Sequence, residues 1–189
     1  MKTHRALLGL LALALPFTSQ SAQELSSVAG MHSHQGPAKR SPLVERVRRA
    51  TARYRDISVA IGEGWVAGTP CVTGPNVGAM GVHFVLPARI GDGLANADEP
   101  EALIYEPLPN GALRLVGIEY IIPVDAWNAK NPGSGPPNID GHLTNLVGAP
   151  NRYGLPSFYE LHVWAWEDNP DGNFVDWNTK VSCDYQRAN

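Results

Sequence analysis

The chain has 189 residues, 43% of them hydrophobic, 17% charged, with a formal net charge of −3. That composition excludes a collagen-like or wholly disordered chain. The acidic balance argues against a protein built for nucleic acid. Two cysteines, Cys71 and Cys183, are the only thiols.

The first residues, Met1-Lys2-Thr3-His4-Arg5, are followed by an apolar run from Ala6 to Leu15 that stops at Pro16 and passes into Phe17-Thr18-Ser19-Gln20-Ser21-Ala22. This is the charged, apolar, small-residue order of a secretory signal, so residues 1–22 are expected to be removed on export to the periplasm or beyond. The run is too short to cross a bilayer, which takes ~20 apolar residues, and no later segment is long enough either. Roughly 165 residues remain, enough for one domain with a core able to fold without metal. In an oxidising compartment an even pair of cysteines is expected to form a bridge, here Cys71–Cys183.

Residues 23–40 are poor in apolar side chains and are expected to be a disordered tail. His32 and His34 lie in it, without the fixed geometry a metal site needs. Residues 41–189 are expected to form a single α+β domain. Ser41-Pro42 opens a helix as an N-cap with proline at the first helical position. Leu43, Val44, Val47, Ala50, Tyr54, Ile57 and Ile61 then recur at three- and four-residue steps, which predicts an amphipathic helix over 42–61 ended by Gly62 and Gly64. Lys39, Arg40, Arg46, Arg48, Arg49, Arg53 and Arg55 make this stretch basic. With an acidic body following, it reads as a solvated helix face and not as a nucleic-acid or lipid site.

Beyond Cys71 the pattern changes to alternation. Strands are predicted at 79–86, 101–106, 112–122 and 157–166, the second and third joined by a hairpin at Asn110-Gly111. Residues 123–156, rich in proline, glycine and asparagine, read as a long loop forming a lid or rim. Residues 167–182 read as a turn-rich return to Cys183. The expected fold is an N-terminal helix packed on a curved antiparallel sheet, or an open barrel, of about four to six strands.

Residue parity sorts those strands into two faces. Val82, Phe84, Leu86, Leu103, Tyr105, Val116, Ile118, Tyr120, Leu161, Val163 and Ala165 share the face expected to meet the helix. The other face carries Gly81, His83, Val85, Ala102, Ile104, Glu106, Gly117, Glu119, Ile121, Glu160, His162, Trp164 and Trp166. It mixes aliphatic and tryptophan side chains with imidazoles and carboxylates, as the wall of a ligand site does. His83, Glu119 and His162 together offer two nitrogens and one oxygen, the donor set of an open zinc site. Copper takes the same ligands. Glu106 or His142 is a candidate to close the shell, and Trp164 and Trp166 are candidates to line a ligand pocket. Other readings of the same face are a metal-free small-ligand module, an acid/base enzyme using the His/Glu pair, or an interaction protein presenting its tryptophans. Gly62-x-Gly64 ends a helix and so is no nucleotide loop, and no G-x-S-x-G occurs.

The segments Ala50–Asp56, Gly78-Ala79-Met80-Gly81-Val82-His83, Leu115-Val116-Gly117-Ile118-Glu119-Tyr120, Glu160-Leu161-His162-Val163-Trp164 and Asn169-Pro170-x-Gly172-x-Phe174-x-x-Trp177-Asn178 resemble a family of uncharacterised exported bacterial proteins. The resemblance covers about residues 42–183. It implies export and the domain limits, and it implies no activity.

Overall fold

A computed structural model describes residues 40–187; the predicted signal and nearly all of the predicted tail lie outside the described residues. The described chain is mixed helix and antiparallel sheet, as expected, and the sheet does not close into a barrel.

Helix α1 (Pro42–Thr51) is followed by a 3-10 turn (Ala52–Arg55) and then by α2 (Ile57–Gly62). The single helix predicted over 42–61 is therefore broken. Asp56 is extended and caps α2, its carboxylate accepting from the Ser58 N–H at 2.9 Å. A short acceptor that competes with the helical ladder ends one helix and starts another. Ser41 occupies the N-cap position, but its hydroxyl caps nothing and is buried without a partner. Leu43, Val44, Val47 and Tyr54 join one buried cluster with Val82, Phe84, Leu103, Tyr105, Leu115, Ile118, Tyr120, Leu161, Val163 and Ala165. Each fully buried aliphatic or aromatic side chain there contributes ~1.5–3 kcal/mol.

The main sheet has seven strands, more than the four to six expected. They are β1 (Val66–Ala67), β2 (Val72–Gly74), β3 (Gly78–Val85), β4 (Ala102–Pro107), β5 (Leu113–Pro123), β8 (Asn145–Val147) and β9 (Phe158–Val163). The order is β1-β3-β4-β5-β9-β8, with β2 also paired to β3. The stretch predicted as one long loop, 123–156, holds α3 (Val124–Lys130), a two-stranded sheet of β6 (Asn138–Ile139) and β7 (His142–Leu143), and β8. Elements of two or three residues are too short for periodicity to reveal. The β4–β5 hairpin turns at Asn110-Gly111 as predicted, with Gly111 at φ +80°.

Two irregularities alter the parity reading. The β4–β5 register shifts between Ile104 and Tyr105, so that Tyr105 faces Leu115. Leu115 takes the core place expected of Val116, which joins Ile104 and Trp164 on the opposite face. This is the consequence of a bulge, where the two-residue period slips by one. At the other end, β9 stops at Val163, and the Ala165 N–H bonds back to the Val163 carbonyl at 2.9 Å.

The basic stretch is engaged with the acidic body. Arg46 pairs with Asp98 at 2.7 Å and with Asp140 at 3.0 Å, and Arg53 pairs with Glu63 at 2.9 Å. The expected disulfide joins Cys71 to Cys183 across a sequence separation of 112. It fastens the last segment of the chain beside β2. No helix among the described residues is long and apolar enough to cross a membrane.

Candidate metal centre

Three side chains predicted to share a face come together. His83 stands on β3, Glu119 on β5 and His162 on β9, with Glu119 and His162 directly opposite each other in the register. Strands β3 and β5 are separated by β4, hence ~9.5 Å apart at the usual strand spacing. Nevertheless His83 Nε2 lies 3.3 Å from Glu119 Oε2. The side chains meet diagonally over β4, where Ala102 faces Glu119 and Ile104 faces His83. On β5, Gly117 lets β9 pack closely, since a Cβ there would stand 2.9 Å from the Val163 carbonyl oxygen and 3.3 Å from the Trp164 ring.

All three residues are buried, with 4%, 5% and 1% of their surface exposed in chain order. His162 Nε2 lies 4.0 Å from the same Glu119 oxygen, and the two imidazole centroids are 5.9 Å apart. One donor atom from each residue fits within a 4.8 Å span. Tetrahedral zinc with bonds of ~2.0–2.2 Å separates its donors by ~3.3–3.6 Å. The His83–Glu119 spacing meets that range, and the His162–Glu119 spacing of 4.0 Å is a few tenths of an ångström beyond it.

The outer nitrogens have oxygen atoms near them. His83 Nδ1 lies 3.2 Å from Thr69 Oγ1, and His162 Nδ1 lies 3.7 Å from Asp176 Oδ1. Second groups of this kind orient metal-binding imidazoles. The Asp176 contact is too long for a hydrogen bond, and both ring nitrogens of His162 are buried without a partner. A buried orphan nitrogen costs ~1–3 kcal/mol. His162 carries two, both directed towards carboxylates.

The electrostatics are those of an uncompensated acidic cluster. Burial pushes His83 down to about 4 and His162 down to about 3, with His83 adding to the latter shift. Both are therefore neutral at pH 7, the form that binds metal. Burial raises the Glu119 carboxyl well above its usual range, and Glu160 raises it further. Glu160 and Asp176 are raised by burial too. Among the described residues the ion-pair contacts of Glu119 and Asp176 are to these histidines alone, and no lysine or arginine neutralises them.

Glu160 and Asp176 form a second donor group with His162. Glu160 shares the predicted face two residues before His162, so parity was a usable signal for it. Asp176 and Thr69 come from segments without periodicity, and nothing local marked them.

The remaining sequence candidates lie elsewhere. Glu106 is held by Arg114 at 2.5 Å and accepts from the Ser182 N–H at 3.0 Å, so its carboxylate is satisfied away from the imidazoles. His142 sits on β7, its ring 3.9 Å from that of Phe174. Neither belongs to a donor group. The two tryptophans do not line a pocket with the donors. Trp164 is buried against Ile104 and Val116 and donates its N–H to the Val175 carbonyl at 2.6 Å. Trp166, displaced by the turn after Val163, lies on the helix side, with its N–H on Thr51 Oγ1 and the Arg48 guanidinium 4.4 Å from its ring. Trp164 keeps the face that alternation assigned to it, beside His162, whereas Trp166 was assigned by an alternation that the backbone abandons after β9.

What does line a pocket is aliphatic. A cavity of about 360 Å³ opens beside the donors, bounded by Gly68, Thr69, His83, Val85, Pro87, Ile90, Glu119, Ile121, Tyr153, Leu155 and Phe158. Its floor is buried at His83, Glu119 and Phe158, and its rim is exposed at Gly68, Pro87 and Leu155. Part of the predicted rim segment, residues 153–155, thus does border a cavity.

Comparison with known proteins returned no matching family model, no matching curated protein and no matching solved structure. The chemistry of the site is therefore argued from its own geometry.

Proposed function

We propose that this is an exported protein that binds one divalent metal ion, zinc or copper, through His83 Nε2, Glu119 and His162 Nε2. The observation that carries the reading is His162, buried with two unpartnered nitrogens beside carboxylates that no basic side chain neutralises. A divalent cation between these groups satisfies the imidazole and removes the repulsion among the acids in one step. Two nitrogens and one oxygen leave a coordination position open, and His83 and Glu119 direct it towards the cavity. Thr69 Oγ1 faces the outer nitrogen of His83 at 3.2 Å, and Asp176 Oδ1 faces that of His162 at 3.7 Å. Membership of the exported family suggested by the sequence motifs, and residence in the periplasm or outside the cell, belong to the same proposal. The Cys71–Cys183 bridge supports an oxidising location.

Metal analysis tests it. The untagged protein, stripped with a chelator and dialysed against zinc or copper, is expected to retain one equivalent and to gain thermal stability. A chain that emerges metal-free from both, with unchanged melting, rejects the reading.

The 3.3 Å contact between His83 and Glu119 at the cavity floor favours one competing reading, a metal-free acid/base pair. It predicts ligand binding or turnover in chelator that added zinc inhibits, the opposite of the metal-dependent behaviour.

A further inference from the structure

We propose that the cavity beside the metal centre takes a carboxylate with an aliphatic or aromatic body, its head group completing the metal's coordination and its body lying along the apolar wall. This rests on the metal-binding reading above and adds the class of ligand.

Three features converge on that class. The polar end of the cavity is narrow in chemistry, since His83 and Glu119, both metal donors, are the ionisable side chains apart from Tyr153 that face it. An entering molecule must therefore bring an atom that binds the ion. A divalent ion held by one carboxylate and two neutral imidazoles carries one positive charge in its own shell, which an anionic oxygen donor on the cavity side neutralises directly, while Glu160 and Asp176 lie outside that shell beside His162.

The second feature is Tyr153. It borders the cavity, and its hydroxyl makes only a weak contact, 3.7 Å to Met80 Sδ. Sulfur is a poor acceptor, so this O–H is available to a better one. A carboxylate has two oxygens, one for the metal and one for Tyr153.

The third is the wall. Val85, Ile90, Ile121, Leu155 and Phe158 run from the buried floor to the exposed rim. They give a sugar or a phosphate ester nothing to bond, and they reward apolar surface at ~0.8 kcal/mol per buried methylene. A volume of about 360 Å³ lies in the range of small-molecule sites.

Titration calorimetry of the zinc-loaded full chain with octanoate, acetate and octan-1-ol tests the assignment. Octanoate is expected to bind at least about a hundredfold more tightly than acetate, since burying about four of its six extra methylenes at ~0.8 kcal/mol each suffices for that. Octan-1-ol, with the tail and no charge, should bind at least about tenfold more weakly than octanoate, and chelated protein should lose the octanoate affinity. The rim variant Leu155→Asn should keep its zinc and weaken octanoate about tenfold, while Tyr153→Phe should weaken octanoate and spare octan-1-ol. Equal affinities for octanoate and acetate on zinc-loaded protein overturn the apolar body. Equal octanoate affinity with and without zinc overturns the metal-bound head group. Failure to take up either zinc or copper instead rejects the metal-binding reading, and the ligand assignment falls with it.

Discussion

Ala102 stands opposite Glu119 in the β4–β5 register, two residues before Ile104, which faces His83, so the 3.3 Å contact between His83 and Glu119 crosses β4 between these two side chains. Its side chain is fully buried. Ala102→Leu would place three more carbons in that path. The expected result is a cost of about 1–3 kcal/mol from overpacking, together with zinc affinity lowered at least about tenfold as the donors are forced apart. Urea unfolding and a competitive zinc titration measure the two effects separately; a variant that is destabilised yet binds zinc normally contradicts the role given to this methyl group.

His162→Phe separates metal binding from folding. Phenylalanine keeps a ring beside Trp164 and removes two buried nitrogens that have no partner. Chelated protein should be as stable as the parent or more so by about 1 kcal/mol, because an unsatisfied buried group is lost. Zinc, by contrast, should no longer stabilise it, whereas the parent should gain ~2.7 kcal/mol at a hundred times the dissociation constant. Denaturation curves with chelator and with zinc decide the matter, and a zinc-dependent gain that survives in the variant excludes His162 as a ligand.

Thr69 and Asp176 face the outer nitrogens of the two proposed imidazole ligands, and substitution tests whether they position them. Thr69→Val and Asp176→Asn preserve size and remove the oxygen or charge facing each outer ring nitrogen. Each is expected to weaken zinc about 10–100-fold with little change in chelated stability. Unaltered zinc affinity in both would show that the imidazoles are oriented by packing alone.

Glu101 sets an alkaline limit on stability. Its carboxyl is pushed up to about 8, first by burial, while it accepts from the Ile121 N–H at 2.9 Å. The folded state therefore holds a proton that the unfolded chain releases near 4.5. This contribution is fully present below that value and is lost as pH rises through about 8. Glu101→Gln keeps an oxygen for Ile121 and carries no proton to lose. Its stability should be flat across the window where the parent declines, as read from urea midpoints at a series of pH values. His83 and His162 act in the opposite sense: held below 6.5 by burial, they make chelated protein less stable as pH falls from 6.5 towards about 4 and about 3.

Removing the bridge tests how much the last segment depends on it. Cys71→Ser combined with Cys183→Ser opens a loop set by a separation of 112 residues. By chain entropy the expected loss is ~5 kcal/mol. Equilibrium unfolding of the oxidised parent and the double variant measures it, and a difference under about 1 kcal/mol would mean that packing holds Val181 and Cys183 in place unaided.

The sequence by itself determined the elements whose signal repeats along the chain. Alternation over β3, β4, β5 and β9 is long enough to identify both the strands and the faces of His83, Glu119 and His162, because each successive side chain must point the opposite way. The Asn110-Gly111 turn and the pairing of the two cysteines were legible for similarly local or countable reasons. Only the tertiary structure decided what parity cannot carry. The bulge opposite Ile104 exchanged Leu115 for Val116, and the turn after Val163 sent Trp166 to the helix side and away from the cavity. Asp176 and Thr69 reach the imidazoles from irregular backbone, where no period relates one residue to the next. Periodicity says which side of a strand a residue occupies. How far apart two such residues lie depends on strand order, bulges and the size of what stands between them, here Ala102 and Ile104 on β4.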